Sequence, residues 1–521
     1  MQLQRPPAVD MHRQITTQPP IQLGRDNIRP FGLDILGPVF VVSSLTVIAF
    51  VAGALLFRDT AAGLFDALYG WLTSTFDWAF MATANGLLLF CVLLLPSRLG
   101  RIRLGGPDAR PEYSNWSWFA MLFAAGIGIG LLFFGVAEPM SHFRNPPLGI
   151  VPAEDLAVAA TLYHWGLHGW AIYAVATLAL AFAAYNLRLP MSFRSAFHPV
   201  LGDRVWGGLG HLVDIFAVFA TVFGLATSLG LGVEQMAAGL EHLFGIPATN
   251  TTAVLLIAVI TAVTLASVIL GMDRGVKRLS QANMTIALAL LAFVLATGPT
   301  LEVLAGAARS LGRYVSAIGP LSNWAGREDL HFLHGWTIFY WAWWLSWAPC
   351  VGMFIARISR GRTVRGLVGG MLVIPLLLET AWFSAFGGTG LSLHRAGATG
   401  MMDAVQAGQP ELALFRTLEL LPLAGVTSFV AIALLIVFFV TSSDSGTLVI
   451  DCITAGGKLD APVVQRIFWC AFVGIVAITL LVSGGLVALR TAALTTGFPI
   501  ALMLIALCYS IWKGLRAARA G

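Results

Sequence analysis

Three stretches of this chain hold residues whose types and spacing suit chemistry. The first is Trp336-Thr-Ile-Phe-Tyr-Trp-Ala-Trp-Trp-Leu-Ser-Trp347. Phe339, Tyr340, Trp343, Trp344 and Trp347 share one helical face by i, i+3, i+4 spacing. Trp165, Trp170 and Tyr173 form a second aromatic group. Aromatic rings that face one another without a carboxylate attract a quaternary ammonium through cation–π forces. The same residue types also build interfacial belts and packed cores. A belt suits Trp336 and Trp341. It suits the others poorly, because the run penetrates three turns into an apolar helix.

The second stretch is Ala124-Ala-Gly-Ile-Gly-Ile-Gly130. Gly126, Gly128 and Gly130 each weaken a helix by about 1 kcal/mol relative to Ala. Inside a membrane the freed backbone groups need other partners. One reading is an unwound segment facing a substrate or ion; the other is close helix packing through small residues. A nucleotide loop is excluded, because no strand precedes the glycines and no Lys follows.

The third stretch is Phe438-Phe-Val-Thr-Ser-Ser-Asp-Ser445. The hydroxyls of Thr441 and Ser442 fall on the same side as the Phe438 carbonyl, one turn earlier. Such neutral oxygens suit Na⁺; back-bonding to the preceding turn is the alternative. A serine nucleophile has no base placed for it, and nothing resembles a nucleophile elbow. His164 and His168 lie four apart but lack a third ligand, which favours polar packing over a metal. Glu138, Glu234, Glu379 and Asp444 are acids at or near membrane depth, and such residues are functional candidates by default. Glu138 and Asp444 also suit span ends.

The elements that must position these residues follow from composition. Of 521 residues, 57% are hydrophobic and 11% charged, against about 25% charged in a soluble domain. That excludes a soluble enzyme, a nucleic-acid binder and a disordered chain. Five cysteines lie in or beside apolar runs with no CxxC pair, so neither a disulfide framework nor a zinc site is expected. No cleavable signal peptide is expected either: the first 30 residues are polar and rich in proline.

A bilayer core of about 30 Å needs about 20 helical residues. The apolar runs predict an all-α polytopic membrane protein with twelve transmembrane helices, near 36–57, 76–95, 116–137, 155–185, 211–239, 251–271, 280–298, 335–357, 364–388, 423–446, 463–484 and 490–512. The continuous apolar character excludes a β-barrel. With the N-terminus inside, only Arg58, Arg144, Arg309, Arg313, Arg327, Arg395, Arg416 and Arg490 of the 31 basic residues face outside. That bias predicts cytoplasmic termini and explains the net charge of +5 by topology. The long outer connections 299–334 and 389–422 read as amphipathic helices. Residues 1–35 are expected to form a cytoplasmic segment, and 513–521 a short cytoplasmic tail, with no soluble regulatory domain expected.

Three motifs carry a family resemblance. MLFAAGIGIGLLFFGVAEPMSHF (121–143), WTIFYWAWWLSWAPCVGMFIARISRGRTVR (336–365) and FVTSSDSGTLVID (439–451) resemble signatures of the betaine/carnitine/choline transporter family. The likeness runs from about Leu36 to Trp512 and is greatest to the glycine betaine symporter type. It implies a LeuT-type fold, with spans 3–7 (about 116–298) and spans 8–12 (about 335–512) as two inverted five-helix repeats. It implies a secondary active transporter and no enzyme. The implied activity is uptake of a quaternary ammonium compatible solute, foremost glycine betaine, by Na⁺ symport. The alternative is choline or carnitine transport driven by protons or by exchange. It implies a homotrimer in the lipid of a bacterial inner membrane, no nucleic-acid partner, and no cofactor beyond Na⁺ as coupling ion.

The resemblance also carries residues over. The aromatic box falls on Trp165, Trp170, Tyr173, Trp343, Trp344 and Trp347, the glycine stretch on Gly126, Gly128 and Gly130, and gating or lining aromatics on Phe133 and Phe339. A Na⁺ site falls on the carbonyls of Ala124, Ile127 and Phe438 with the side chains of Thr441 and Ser442. A second Na⁺ site matches Thr221 and Ser228, but Leu225 stands where betaine symporters place a threonine. Asn283 stands where sodium-independent antiporters place an arginine. Choline-type members end the glycine motif with Asp where this chain has Gly130. That difference predicts betaine over choline, and recruitment of choline by Gly130→Asp.

Overall fold

The computed structural model describes residues 24, 26–126, 128–149, 153–270 and 273–520, without the side chains of 123–126, 273–280 and 520. Apart from two isolated β-bridges, Ile28–Ile35 and Arg103–Thr363, the regular structure among them is helical. The helices are α1 (Gly37–Leu56), α2 (Arg58–Thr75), α3 (Asp77–Leu94), α4 (Asn115–Gly126), α5 (Ile129–Arg144), α6 (Glu154–Trp165) and α7 (Leu167–Tyr185). They continue with α8 (Gly208–Phe244), α9 (Asn250–Ile269), α10 (Asp273–Thr297), α11 (Thr300–Ser322), α12 (Ile338–Arg357) and α13 (Val364–Arg395). The last are α14 (Gly400–Gln406), α15 (Ala413–Leu418), α16 (Ala424–Thr454) and α17 (Val463–Ala520). The chain is an all-α, multi-pass membrane protein.

Among the described residues, nine helices are long and apolar enough to cross a membrane, or ten if α10 and α11, bent by 112°, count as one span. The twelve apolar runs differ from that count at identifiable places. The third is divided between α4 and α5, of 12 and 16 residues, each too short to cross alone. The last two are joined in α17, whose 58 residues would extend about 87 Å if straight. Gly485 breaks it, with φ 55° and ψ −141°.

The two long connections are helical. α11 covers most of 299–334, while 389–422 is divided among the end of α13, α14 and α15. The connection between the first two runs is itself a helix, α2, held to α17 by Arg58 Nη2 donating to the Val482 carbonyl at 2.6 Å. Residues 513–520 continue α17 and do not form a separate tail.

The fourth run is broken, which its composition did not announce. α6 ends at Trp165, Gly166 takes φ −84° and ψ −129°, and α7 begins at Leu167. The freed Leu167 N–H donates to Tyr314 Oη of α11 at 3.1 Å. A neighbouring helix thus supplies the partner that the membrane interior withholds. Beside the break in the third run, the first turn of α5 is tied to neighbouring helices. Trp382 Nε1 donates to the Leu131 carbonyl at 2.9 Å, and Gln235 Nε2 to that of Leu132 at 3.0 Å. Before α12, a π-turn at Leu333–Thr337 inserts an extra residue. The core lies where α5, α6, α7, α8, α12 and α17 pack on one another.

Candidate functional site

The broken third and fourth runs bring their ends against α12. Trp344 lies among the other rings, with centroids 6.0 Å from Trp165, 5.8 Å from Trp170 and 4.6 Å from Tyr173. Trp165 meets Trp343 at 6.0 Å, nearly perpendicular at 86°. Phe339 stacks on Trp343 at 5.7 Å and 13°. These residues are buried, whereas Trp347 is half-buried and joins the group through a shared hydrogen-bond acceptor. Five of the six box residues therefore form one ring cluster, with Trp347 beside it.

Glycines make the cluster fit. A Cβ on Gly130 would lie 2.5 Å from Trp165 Cη2 and 2.8 Å from Trp343 Cη2. A Cβ on Gly169 would lie 2.5 Å from the Trp344 ring. Gly130→Asp therefore has no space for its side chain while the two rings stay where they are. The expectation that this change recruits choline meets a steric obstacle that spacing could not reveal.

The indole N–H groups of Trp165, Trp170, Trp343 and Trp347 find acceptors outside the ring cluster. Trp165 Nε1 donates to Glu138 Oε2 at 2.9 Å, and Trp170 Nε1 to Glu379 Oε1 at 2.9 Å. Trp343 and Trp347 both donate to Ser228 Oγ at 3.0 Å, and Trp347 also to the Gly224 carbonyl at 3.0 Å. Buried indole N–H groups need acceptors. Once their edges are held, the ring faces are what the cluster presents.

Of the lining aromatics, Phe339 touches the cluster through Trp343, whereas Phe133 has its ring contact with Phe134 at 4.7 Å. Phe134, one residue on, reaches Trp165, Trp336, Tyr340 and Trp343. Phe383 also meets Trp165, at 5.4 Å. Motif matching missed Phe134, Gly169 and Phe383. Only Phe134 left a signal in the sequence, as one of two adjacent phenylalanines on a broken helix.

The oxygen-rich stretch of α16 faces the break in the third run. Gly128 caps α5, and a Cβ there would lie 3.8 Å from Ser442 Oγ and 3.9 Å from Phe438 Cδ1. Thr441 Oγ1 donates to the carbonyls of Val437 at 2.9 Å and Phe438 at 3.1 Å. This is the back-bonding to the preceding turn that the sequence offers as the alternative to an ion site. Of the remaining assigned ligands, Ile127 lies outside the described residues. Ala124 and Gly126 are described only as helical backbone.

Thr221 and Ser228 sit two turns apart on α8. Thr221 Oγ1 donates to the Ala217 carbonyl at 2.8 Å, and Ser228 holds the two indoles. Leu225, between them, packs where a Cβ on Gly446 of α16 would lie 2.3 Å from its Cδ1. Hydrocarbon fills the level at which a hydroxyl would stand. Asn283 is buried, and its Oδ1 lacks a hydrogen-bond partner among the described residues.

His164 and His168 diverge. His168 Nε2 meets Asn85 Oδ1 at 3.0 Å, while His164 lies between Glu138 Oε1 at 2.6 Å and Thr337 Oγ1 at 2.9 Å. Glu138, His142 and His164 bring ligand-type atoms within 4.8 Å of one another. The 2.6 and 3.1 Å separations from Glu138 Oε1 are those of direct hydrogen bonds.

Broken helices around a buried ring cluster, in an all-helical chain that crosses the membrane repeatedly, define the class: a membrane transporter and not an enzyme. The model of the betaine/carnitine/choline family transporters matches residues 38–520, and the chain belongs to that family. It is 49% identical to a glycine betaine/proline/choline transporter of Vibrio parahaemolyticus serotype O3:K6, across 95% of this chain and 93% of that one. Glycine betaine transporter 1 of the same organism is 46% identical, over 95% and 97% of the two chains. A glycine betaine transporter of Acinetobacter baylyi is 42% identical, over 92% and 72%.

Proposed function

We propose that this chain takes up a trimethylammonium zwitterion, glycine betaine foremost, by symport with one Na⁺. The carrying observation is the ring cluster of Trp165, Trp170, Tyr173, Trp343 and Trp344, in which the indole N–H groups of Trp165, Trp170 and Trp343 are engaged at their edges. Such ring faces favour a cation by about 0.5–2 kcal/mol each. A trimethylammonium group offers methyl surface and diffuse charge but no N–H, so it suits faces and makes no demand on edges. The relatives, named for glycine betaine, proline and choline, support the same substrate class.

Na⁺ is the coupling ion of this proposal. Thr441, Ser442 and the Phe438 carbonyl would hold it, with Ala124 and Ile127 completing the set. Bound there, it supplies the driving force of its gradient. Leu225 argues for one ion rather than two. The same reading places twelve spans in a LeuT-type arrangement, with repeats over about 116–298 and 335–512. It also puts both termini in the cytoplasm, the chain in a bacterial inner membrane, and three copies in an assembly. The second reading, choline or carnitine moved by protons or exchange, draws on the relatives named for choline.

The test is uptake of labelled betaine into proteoliposomes, with inward Na⁺ and H⁺ gradients imposed separately and with external carnitine or choline as competitors. Accumulation requiring Na⁺, with betaine the better competitor, is expected. Accumulation on a proton gradient alone, or choline outcompeting betaine, overturns the assignment.

A further inference from the structure

Two buried carboxylates stand behind the ring cluster rather than within it. Glu138 lies two turns beyond Gly130 on α5 and is 0% exposed; Glu379 on α13 is 0% exposed as well. Both address indole edges. Glu138 is the more fully engaged. Trp165 Nε1 donates to its Oε2 at 2.9 Å, as does the Tyr340 hydroxyl. Its Oε1 faces His164 Nδ1 at 2.6 Å and His142 Nε2 at 3.1 Å. Four groups able to donate lie at hydrogen-bond distance from its two oxygens, as many as an ionised carboxylate has lone-pair sites.

An indole N–H can only donate. For Trp165, Glu138 Oε2 at 2.9 Å is the nearer of its two acceptors, Tyr340 Oη being the other at 3.2 Å, and together they fix which edge of Trp165 turns outward and which face turns toward Trp343 and Trp344. Tyr340 is tied to the same oxygen, and His164 stacks on Tyr340 at 4.7 Å and 10°. Ring orientation is thus coupled across α5, α6 and α12 by one side chain. A negative acceptor on the N–H also pushes electron density into the indole ring. A cation over that ring is attracted by the density of its face.

We infer that Glu138 is a specificity-determining positioning residue, which orients Trp165 by its indole N–H and strengthens that ring's preference for a quaternary ammonium over an uncharged group of the same shape. This rests on the reading of the ring cluster as a trimethylammonium site. Glu138 does not touch substrate; it acts through Trp165. Glu379 plays the corresponding part for Trp170 through one hydrogen bond, with its second oxygen unpartnered among the described residues. Its contribution is accordingly smaller.

The test compares glycine betaine with 3,3-dimethylbutanoate, its carbon isostere, in which an uncharged tert-butyl group replaces trimethylammonium. Binding of both to the purified full chain is read by tryptophan fluorescence and by competition against labelled betaine. Glu138→Gln keeps the size and an acceptor oxygen but removes the charge. It should weaken betaine by about tenfold, within what one ring face contributes, and change the isostere by less than about twofold. Equal losses for both ligands overturn the inference, since a merely structural role lowers them together. Trp165→Phe keeps a six-membered aromatic face but removes the fused five-membered ring with its N–H, so it covers the case in which Glu138→Gln does not fold. It should lose the same preference for the cation, and adding Glu138→Gln to it should cost little more. A Trp165→Phe protein with full preference for the cation overturns the inference too. A native protein that binds neither betaine nor choline instead overturns the functional reading beneath it.

Discussion

Ser228 separates two accounts of α8, and Ser228→Ala decides between them. By family resemblance Ser228 is a ligand of a second Na⁺. By geometry its oxygen accepts the indole N–H groups of Trp343 and Trp347, each at 3.0 Å. Removing the hydroxyl leaves Trp347 with the Gly224 carbonyl, also at 3.0 Å, so that ring is little affected. Trp343 loses its acceptor. An orphaned buried donor costs about 1–3 kcal/mol, which corresponds to about 5- to 150-fold in an equilibrium. Trp343 meets Trp165 edge to face and carries Phe339 on its own face. Any rotation that gives the N–H a new partner therefore reshapes the cation site.

Betaine affinity should fall within that range when measured at saturating Na⁺. The Na⁺ dependence of uptake should keep its Hill coefficient, because no ion ligand has been removed. Proteoliposome uptake, with Na⁺ and betaine titrated independently, measures both. A lowered Hill coefficient with betaine affinity intact at saturating Na⁺ would refute the hydrogen-bonding account and restore a second ion.

Other expectations follow from the same contacts. Thr441→Ala with Ser442→Ala should abolish Na⁺-driven uptake while the protein still folds; a double variant that responds to a Na⁺ gradient removes the ion from α16. Gly130→Ala should weaken betaine and choline alike by about tenfold, since overpacking costs about 1–3 kcal/mol; a gain for either ligand in competition binding contradicts the contact with Trp165 and Trp343. Tyr314→Phe deprives the Leu167 N–H of its acceptor and should cost about 1–3 kcal/mol, seen as a lower melting temperature in detergent; an unchanged melt means that the break at Gly166 is held otherwise. Burial alone would raise the Asp34 carboxyl, but Lys458, with Asn27 and Arg29, outweighs it and holds the group below its ordinary value. That stabilisation is present above about pH 4 and lost as the pH falls through the depressed value. The melting difference between the native protein and Asp34→Asn should therefore vanish in acid, and a difference that persists there rules out the pairing with Lys458.

Much of the fold was legible because the membrane restricts a chain severely. Unpaired backbone is costly in hydrocarbon, so long apolar runs must be helices. The aromatic face of 336–347 was legible for a related reason, since helical periodicity reports which residues of one helix look the same way. The glycines of 124–130 announced a weak helix, and the chain does divide between Gly126 and Ile129. Nothing comparable announced the break at Gly166, where a single glycine interrupts an otherwise unremarkable apolar run. Its partner, Tyr314, lies on a helix 147 residues further on. α2 was hidden for another reason, because its residues are too mixed to read as a span.

The amino-acid sequence by itself determined that this protein crosses a membrane repeatedly, which family it belongs to, and which side chains are able to hold a cation or offer oxygens to an ion. Those follow from composition, periodicity and motif, all of which are local. Tertiary structure decided what each side chain faces. Ser228 meets two indoles, Leu225 lies against Gly446, and Glu138 is bound to Trp165 and Tyr340. Each of these pairs spans at least two helices. A hydrogen bond or a packed ring depends on how those helices lie against one another, and no stretch of one helix carries that information.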